Sequence, residues 1–286
     1  MESITKQAHA KINLSLDVVG LREDGYHLVQ MVMQSLSLCD SLVISPREDE
    51  KITLSVDLPG LECDERNLVW RAAELIRKTY GITQGVDLKL SKKIPMAAGL
   101  AGGSSDCASA LRGVSELFGL SVSDEELRGL GVKLGADVPY CLMGKTALAE
   151  GIGEVLSPLP PMPECGILLA KPVTSVGTAG VYKELDALSG YPHPDTQGLI
   201  GALKAGDLEG IAARLCNVLE NVTAVKYPEI GQLKEQMIEE GALGSLMSGS
   251  GPTVFGIYET LQKAEAAGDA IKKRGFTGQV FATVPV

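Results

Sequence analysis

The stretch Ile94–Leu111, IPMAAGLAGGSSDCASAL, places Gly99, Gly102 and Gly103 and two adjacent serines ahead of small and apolar residues that continue as a helix. A helix start leaves its first backbone N–H groups unpaired and carries partial positive charge, so a glycine-bearing loop leading into one is a natural cradle for phosphate. Glycine suits such a loop because a side chain would hold phosphate oxygens away from the amides, and because these turns often need positive φ. Ser104 or Ser105 can cap the helix or bond a phosphate oxygen. A glycine-rich turn with no ligand is the alternative, and the loop alone does not decide between them.

Two familiar nucleotide patterns are absent. Gly144-Lys145-Thr146 is the chain's one Gly-Lys-Thr, and Pro139 stands where a Walker loop needs its first glycine. Neither Gly99–Ser104 nor Gly249–Val254 fits G-x-G-x-x-G. Other chemistry-bearing residues are scattered. Lys11 and Asn13 lie two apart in an alternating strand pattern, hence on one face, where a lysine can simply be solvated. Tyr26-His27 directly follows the turn GLREDG and can either grip a flat ring or close a hairpin. Asp137 sits in a glycine-flanked turn before an apolar stretch, as a held carboxylate or a turn cap.

Whole-chain properties narrow the field. The 286 residues suffice for a large core and two joined domains, and 45% hydrophobic with 22% charged residues is ordinary for a folded protein. A formal charge of −10, with no dense Lys/Arg block, argues against a nucleic-acid partner, so an anionic ligand must be held by a few local groups. Six dispersed cysteines without a C-x-x-C pair, and three histidines, suggest no zinc site and point to buried thiols in a reducing compartment. No signal core or membrane-length apolar run is present, which predicts a cytoplasmic protein without membrane contact.

The elements that must position these residues follow from periodicity. Strands are predicted over 7–19, 30–45, 51–56 and 86–90, the last delivering the chain to the glycine loop. Helices are predicted over 67–80, from the loop to about Phe118 with Gly119 ending it, and from the capping sequence Ser123-Asp124-Glu125-Glu126 to about Leu134. The proline-rich Ser157–Pro163 marks a boundary between domains at 1–160 and 161–286. Beyond it, strands over 165–170, 243–247, 253–258 and 279–284 alternate with helices starting at 177 and over 208–219, 228–240 and 261–273. This pattern fits an α+β sandwich. The turn SGSGPT, Ser248–Thr253, reads as lining a cleft rather than as a bare hairpin turn.

Together, AKINLSLDVVGLREDGYHLVQ, IPMAAGLAGGSSD, LGADVPY and SLMSGSGPTVFG resemble the GHMP family of small-molecule kinases, which includes galactokinase, homoserine kinase, mevalonate kinase and phosphomevalonate kinase. K-I-N followed by R-x-D-G-Y-H, then RNLVWRAA and G-A-D-V-P, occur at the family's intervals and resemble members that act on a cytidyl-linked sugar alcohol. The resemblance implies a two-domain α/β (α+β) fold, with an N-terminal α/β domain bearing the phosphate loop and a ferredoxin-like C-terminal domain. It also implies transfer of the γ-phosphate of ATP, with Mg²⁺, to a 2-hydroxyl of that substrate by a monomer or homodimer.

By the same resemblance, Lys11 and Asp137 match the catalytic pair. Asn13 lies near the substrate, with Tyr26 and His27 at the cytosine and Tyr182 as a second aromatic. Asn67 and Lys93 fall near the adenine, and Pro95, Met96, Ala97, Ala98, Gly99, Leu100, Ala101, Gly102, Gly103, Ser104 and Ser105 cover the triphosphate. The chain has alanine at 97, 98 and 101 where many members have glycine, so these three positions are expected to avoid left-handed conformations. Asp106 adds a carboxylate that favours the helix start and opposes a nearby phosphate unless it turns away. A mevalonate or homoserine kinase leaves Tyr26-His27 without a base to read, and a silent nucleotide sensor has no need of both Lys11 and Asp137.

Overall fold

The computed structural model describes residues 2–286. Two compact units interleave along the chain. The first takes the stretch up to Ala10, Cys39–Met96 and Ala101–Gly144, and the second takes Lys11–Leu38, Ala97–Leu100 and Lys145–Val286. Two long strands, β1 (Ile4–Leu21) and β2 (His27–Pro46), pass through both.

The first unit continues with β3 (Ile52–Val56), α1 (Leu68–Tyr80), β4 (Val86–Ser91), α2 (Gly102–Leu117), α3 (Asp124–Gly131) and α4 (Val138–Met143). The second half of β2 runs antiparallel to β4, from Ser41 opposite Ser91 to Pro46 opposite Val86, and β3 pairs parallel with β4. Val86, Leu88 and Leu90 alternate inward, the period of a half-buried strand. They meet a core built with Leu42, Ile44, Ala72, Ala73, Ile76, Leu111 and Val114.

Helices α1 and α3 have chemically marked ends. Asn67 caps α1, its Oδ1 accepting the Val69 N–H at 2.9 Å, and Gly81 ends the helix in the left-handed region. Ser123 and Glu126 form a complete capping box at α3. Helix α2 is buried from Ser105 to Leu111 and is built of small residues, so it can pack closely against α1.

The second unit adds β5 (Thr146–Glu150), β6 (Val155–Pro158), β7 (Gly166–Lys171), α5 (Thr178–Leu185), α6 (Thr196–Ala205), α7 (Leu208–Ala212), β8 (Cys216–Asn217), α8 (Glu220–Lys226), α9 (Glu229–Glu239), β9 (Gly244–Met247), β10 (Val254–Tyr258), α10 (Leu261–Lys273) and β11 (Gln279–Thr283). Its antiparallel sheet has the order β11-β7-β10-β9, with α9 and α10 packed on it. Taken in chain order this is a split β-α-β arrangement of the ferredoxin-like kind. Elsewhere in the unit, β5 lies beside Met31–Gln34 of β2, and β8 pairs parallel with Ser15–Leu16 of β1.

The helix expected over 208–219 stops at Ala212. Cys216 and Asn217 are drawn out to pair with β1, and the Asn217 side chain donates to the carbonyls of Met247 and Gly249, each at 2.8 Å. Tertiary pairing here overrides a helical pattern. Among the described residues no helix is long and apolar enough to cross a membrane.

Candidate active site

In the second unit the polar face of β1 carries Lys11 and Asn13, both buried. The Lys11 ammonium donates to Asn13 Oδ1 at 2.8 Å and to the Gly99 carbonyl at 3.0 Å. Burying an ammonium is costly unless its protons are taken up, and these two acceptors account for two of the three. Ser248 of the SGSGPT turn donates its hydroxyl to the same Gly99 carbonyl at 2.9 Å, and the Lys11 backbone N–H donates to the Leu100 carbonyl at 3.1 Å. A Cβ on Gly99 would stand 2.2 Å from the Ser248 carbonyl oxygen, so only glycine fits there.

These bonds explain a departure from expectation. Ala97 and Ala101 do adopt left-handed φ, at 48° and 54°, on either side of Gly99 at 72°. Each such alanine costs about 1–2 kcal/mol. The strain is held because Ala98 and Leu100 are buried and the Gly99 carbonyl is fixed by Lys11 and Ser248.

Helix α2 begins at Gly102, and the side chain of its N-cap residue, Ala101, makes no capping hydrogen bond. Neither Ser104 nor Ser105 serves as that cap. In the first turn the N–H groups of Gly102, Gly103 and Ser104 are thus open to an anion, the arrangement that suits a phosphate, while the Ser105 N–H donates to the Ala101 carbonyl at 2.9 Å. A Cβ on Gly103 would meet nothing closer than Leu68 Cδ1 at 3.9 Å, so the approach is open. A Cβ on Gly135 would lie 3.8 Å from Ser104 Oγ, which brings the turn bearing Asp137 beside this helix start within the first unit.

Asp137 occupies the N-cap position of α4, half-buried, yet its side chain makes no capping bond. Its carboxylate takes no hydrogen bond or ion pair among the described residues. Asn67 is engaged as a cap, its Nδ2 also donating to the Glu62 carbonyl at 2.8 Å. Lys93 exposes its side chain, while its neighbour Lys92 buries an ammonium against Asp106 at 2.6 Å and against Asp40. Asp106 therefore turns toward a cation rather than toward the loop's ligand side.

At the far end of the β1–β2 hairpin, Tyr26 is 58% exposed. His27 stacks obliquely on Tyr182, with ring centroids 4.9 Å apart at 38°, and its Nε2 lies 2.8 Å from Asp186 Oδ1. A second pair, His193 Nδ1 with Asp17 Oδ1 at 2.8 Å, joins the α5–α6 connection to β1.

Residues 67–145 match the model for the GHMP kinases N-terminal domain, and residues 199–276 match the GHMP kinases C-terminal model. The chain belongs to the GHMP kinase family. The kinase is 50% identical to a curated protein of Lachnospira eligens named 4-diphosphocytidyl-2-C-methyl-D-erythritol kinase, over 99% of this chain and 98% of that one. It is 47% identical to a protein of the same name from Lachnoclostridium phytofermentans, over 99% and 97%. A crystal structure of 4-(cytidine 5'-diphospho)-2C-methyl-D-erythritol kinase superposes with a TM-score of 0.84 at 34% identity, covering 99% of both chains. A homoserine kinase from Cytophaga hutchinsonii shares the fold at TM-score 0.78 and 21% identity, over 100% of this chain and 95% of that one.

Sequence reasoning on this GHMP kinase missed Asn217, Asp186 and Lys92. Asn217 was hidden inside an apparent helix. Asp186 follows Tyr182 by one helical turn, and that spacing was the available signal.

Proposed function

We propose that the chain transfers the γ-phosphate of ATP to the 2-hydroxyl of 4-diphosphocytidyl-2-C-methyl-D-erythritol, a step of non-mevalonate isoprenoid precursor synthesis, in the cytoplasm. What carries this reading is identity of up to 50% with proteins of that name along nearly the whole of both chains. The homoserine kinase structure, at 21%, supports the fold alone.

The residues supply the chemistry in the following way. The Pro95–Ser105 loop and the uncapped start of α2 bind the triphosphate through backbone N–H groups, with Asn67 and Lys93 beside the adenine. Asp137, its carboxylate unengaged, accepts the proton of the attacking hydroxyl as the new P–O bond forms and the bond to the ADP oxygen breaks. Lys11, held by Asn13 and Gly99, has one N–H left to donate to the oxygen where negative charge develops. Tyr26 and Tyr182 supply ring faces for the cytosine, and His27 is held between Tyr182 and Asp186 to read its edge. Residues 1–160 carry the ATP site and the catalytic pair, and residues 161–286 complete the enzyme.

Among the described residues no group of three or more His, Cys, Asp or Glu is placed to hold a metal ion. The donor set therefore fits Mg²⁺ as a partner of the nucleotide phosphates, neutralising their charge, rather than as a caged ion. The test is coupled ADP release with ATP and Mg²⁺, comparing the cytidyl substrate with mevalonate and homoserine. Turnover on the cytidyl compound alone is expected. Preference for either of the others overturns the substrate, and silence on all three with ATP still bound overturns the activity.

A further inference from the structure

Asp40, Lys92 and Asp106 meet inside the first unit, at the two ends of the glycine loop. Lys92 stands three residues before Pro95 and Asp106 directly after Ser105, and the two are joined at 2.6 Å. Asp40, in the second half of β2, bonds the same ammonium through Oδ2 and accepts the Ile94 backbone N–H through Oδ1 at 2.8 Å. All three side chains are buried, at 4%, 0% and 4% exposure for Lys92, Asp40 and Asp106. The cluster thus fastens the strand that enters the loop to the helix that leaves it.

Its charges do not balance. Two carboxylates share one ammonium, and Asp106 Oδ1 is buried with no hydrogen-bond partner. An unpaired buried carboxylate oxygen is costly, and a single proton on the cluster removes the excess charge. The other charged groups nearby do not supply compensation. Lys93, next along the chain, exposes its side chain, and so does Arg71 of α1, whose charge acts on the neighbouring Cys107. From β2 comes only a second negative charge, Asp40.

We propose that Asp106 is a proton-linked positioning residue, which carries a proton when the loop holds a triphosphate and so keeps the Asp40–Lys92–Asp106 fastening neutral beneath a polyanion. This rests on the kinase reading above and deepens it. Asp106 lies about one helical turn, or about 5 Å along the axis, from the first-turn amides of α2. An ionised carboxylate there opposes a phosphate at the helix start, whereas a neutral one leaves the positive end of the helix unopposed. Burial pushes the Asp106 carboxyl up to about 7, against the pull of Lys92 and with the aid of Asp40, so the proton is exchangeable near neutral pH. By linkage, a ligand that prefers the protonated form must draw in a proton as it binds.

The test is calorimetric binding of MgATP to the full chain between pH 6 and 8.5, in buffers of different ionisation enthalpy, for the wild type and Asp106→Asn. The wild type is expected to take up part of a proton per nucleotide at pH 7.5 and to lose about tenfold in affinity across the range. Asp106→Asn is expected to take up none and to change less than twofold. A purely structural fastening would move overall affinity without moving the proton count. Equal uptake in the two proteins, or none in the wild type, overturns the proposal, and the wild-type measurement alone decides if the variant fails to fold. Absence of MgATP binding at every pH in a folded wild type overturns the kinase reading and this inference together.

Discussion

Replacing Asp106 by Asn in the ligand-free protein should flatten part of its stability–pH profile. In the unfolded chain the carboxyl titrates near 3.8, and burial in the fold raises it to about 7. A group raised on folding favours the fold below its unfolded value, and that contribution is lost as pH climbs through the folded one. At about 1.4 kcal/mol for each pH unit, the span between the two values amounts to about 4 kcal/mol, fully lost above pH 7. Asparagine cannot ionise and keeps nearly the same shape, so the variant should resemble the wild type at pH 4 and exceed it by up to that amount at pH 8. Unfolding midpoints in urea, taken for both proteins at each pH, measure the difference while cancelling every other titrating group. Parallel profiles from pH 4 to 8 would refute the claim that this carboxylate is left ionised at a cost in the folded state.

Two further outcomes address the chemistry. Asp137→Asn should lower kcat by a factor of about 10² to 10⁴ with ATP and substrate affinities little changed, as expected for loss of a general base. Steady-state kinetics within threefold of wild type would remove Asp137 from the mechanism. Tyr26→Ala should raise KM for the cytidyl substrate about ten- to a hundredfold at similar kcat, since stacking on a base contributes about 1–3 kcal/mol. An unchanged KM would show that the exposed ring reads nothing.

Much of this architecture was legible in the sequence where local chemistry decides. The helix predicted over 261–273 is α10, residue for residue, and the Ser123/Glu126 capping box is present in full. That a helix follows the glycine loop was readable from the small and apolar run, although α2 begins at Gly102, ahead of the serines expected to cap it. What escaped depends on distant partners. Ala97 and Ala101 take left-handed φ only because Lys11 and Ser248 hold the carbonyl between them. Asn217 leaves its helical pattern for β1 and the Met247 and Gly249 carbonyls. Nothing local distinguishes Lys92 from Lys93, yet one is buried between two carboxylates and the other faces solvent.

The interleaving of the two units has a consequence for the order in which the protein is made. A ribosome has released every residue of the first unit once Gly144 has cleared the exit tunnel, so that unit can close while the rest of the second unit has yet to emerge. The second unit must wait. Its strand β1 needs Cys216 and Asn217, the Ser35 carbonyl accepts from the Val286 N–H, and the Ser37 hydroxyl bonds Thr283 and Val284. Pairings of such long sequence separation form slowly. Gly99, assigned with Lys11 to the late unit, therefore acquires its hydrogen bond from Ser248 only after the helix start at Gly102 is in place.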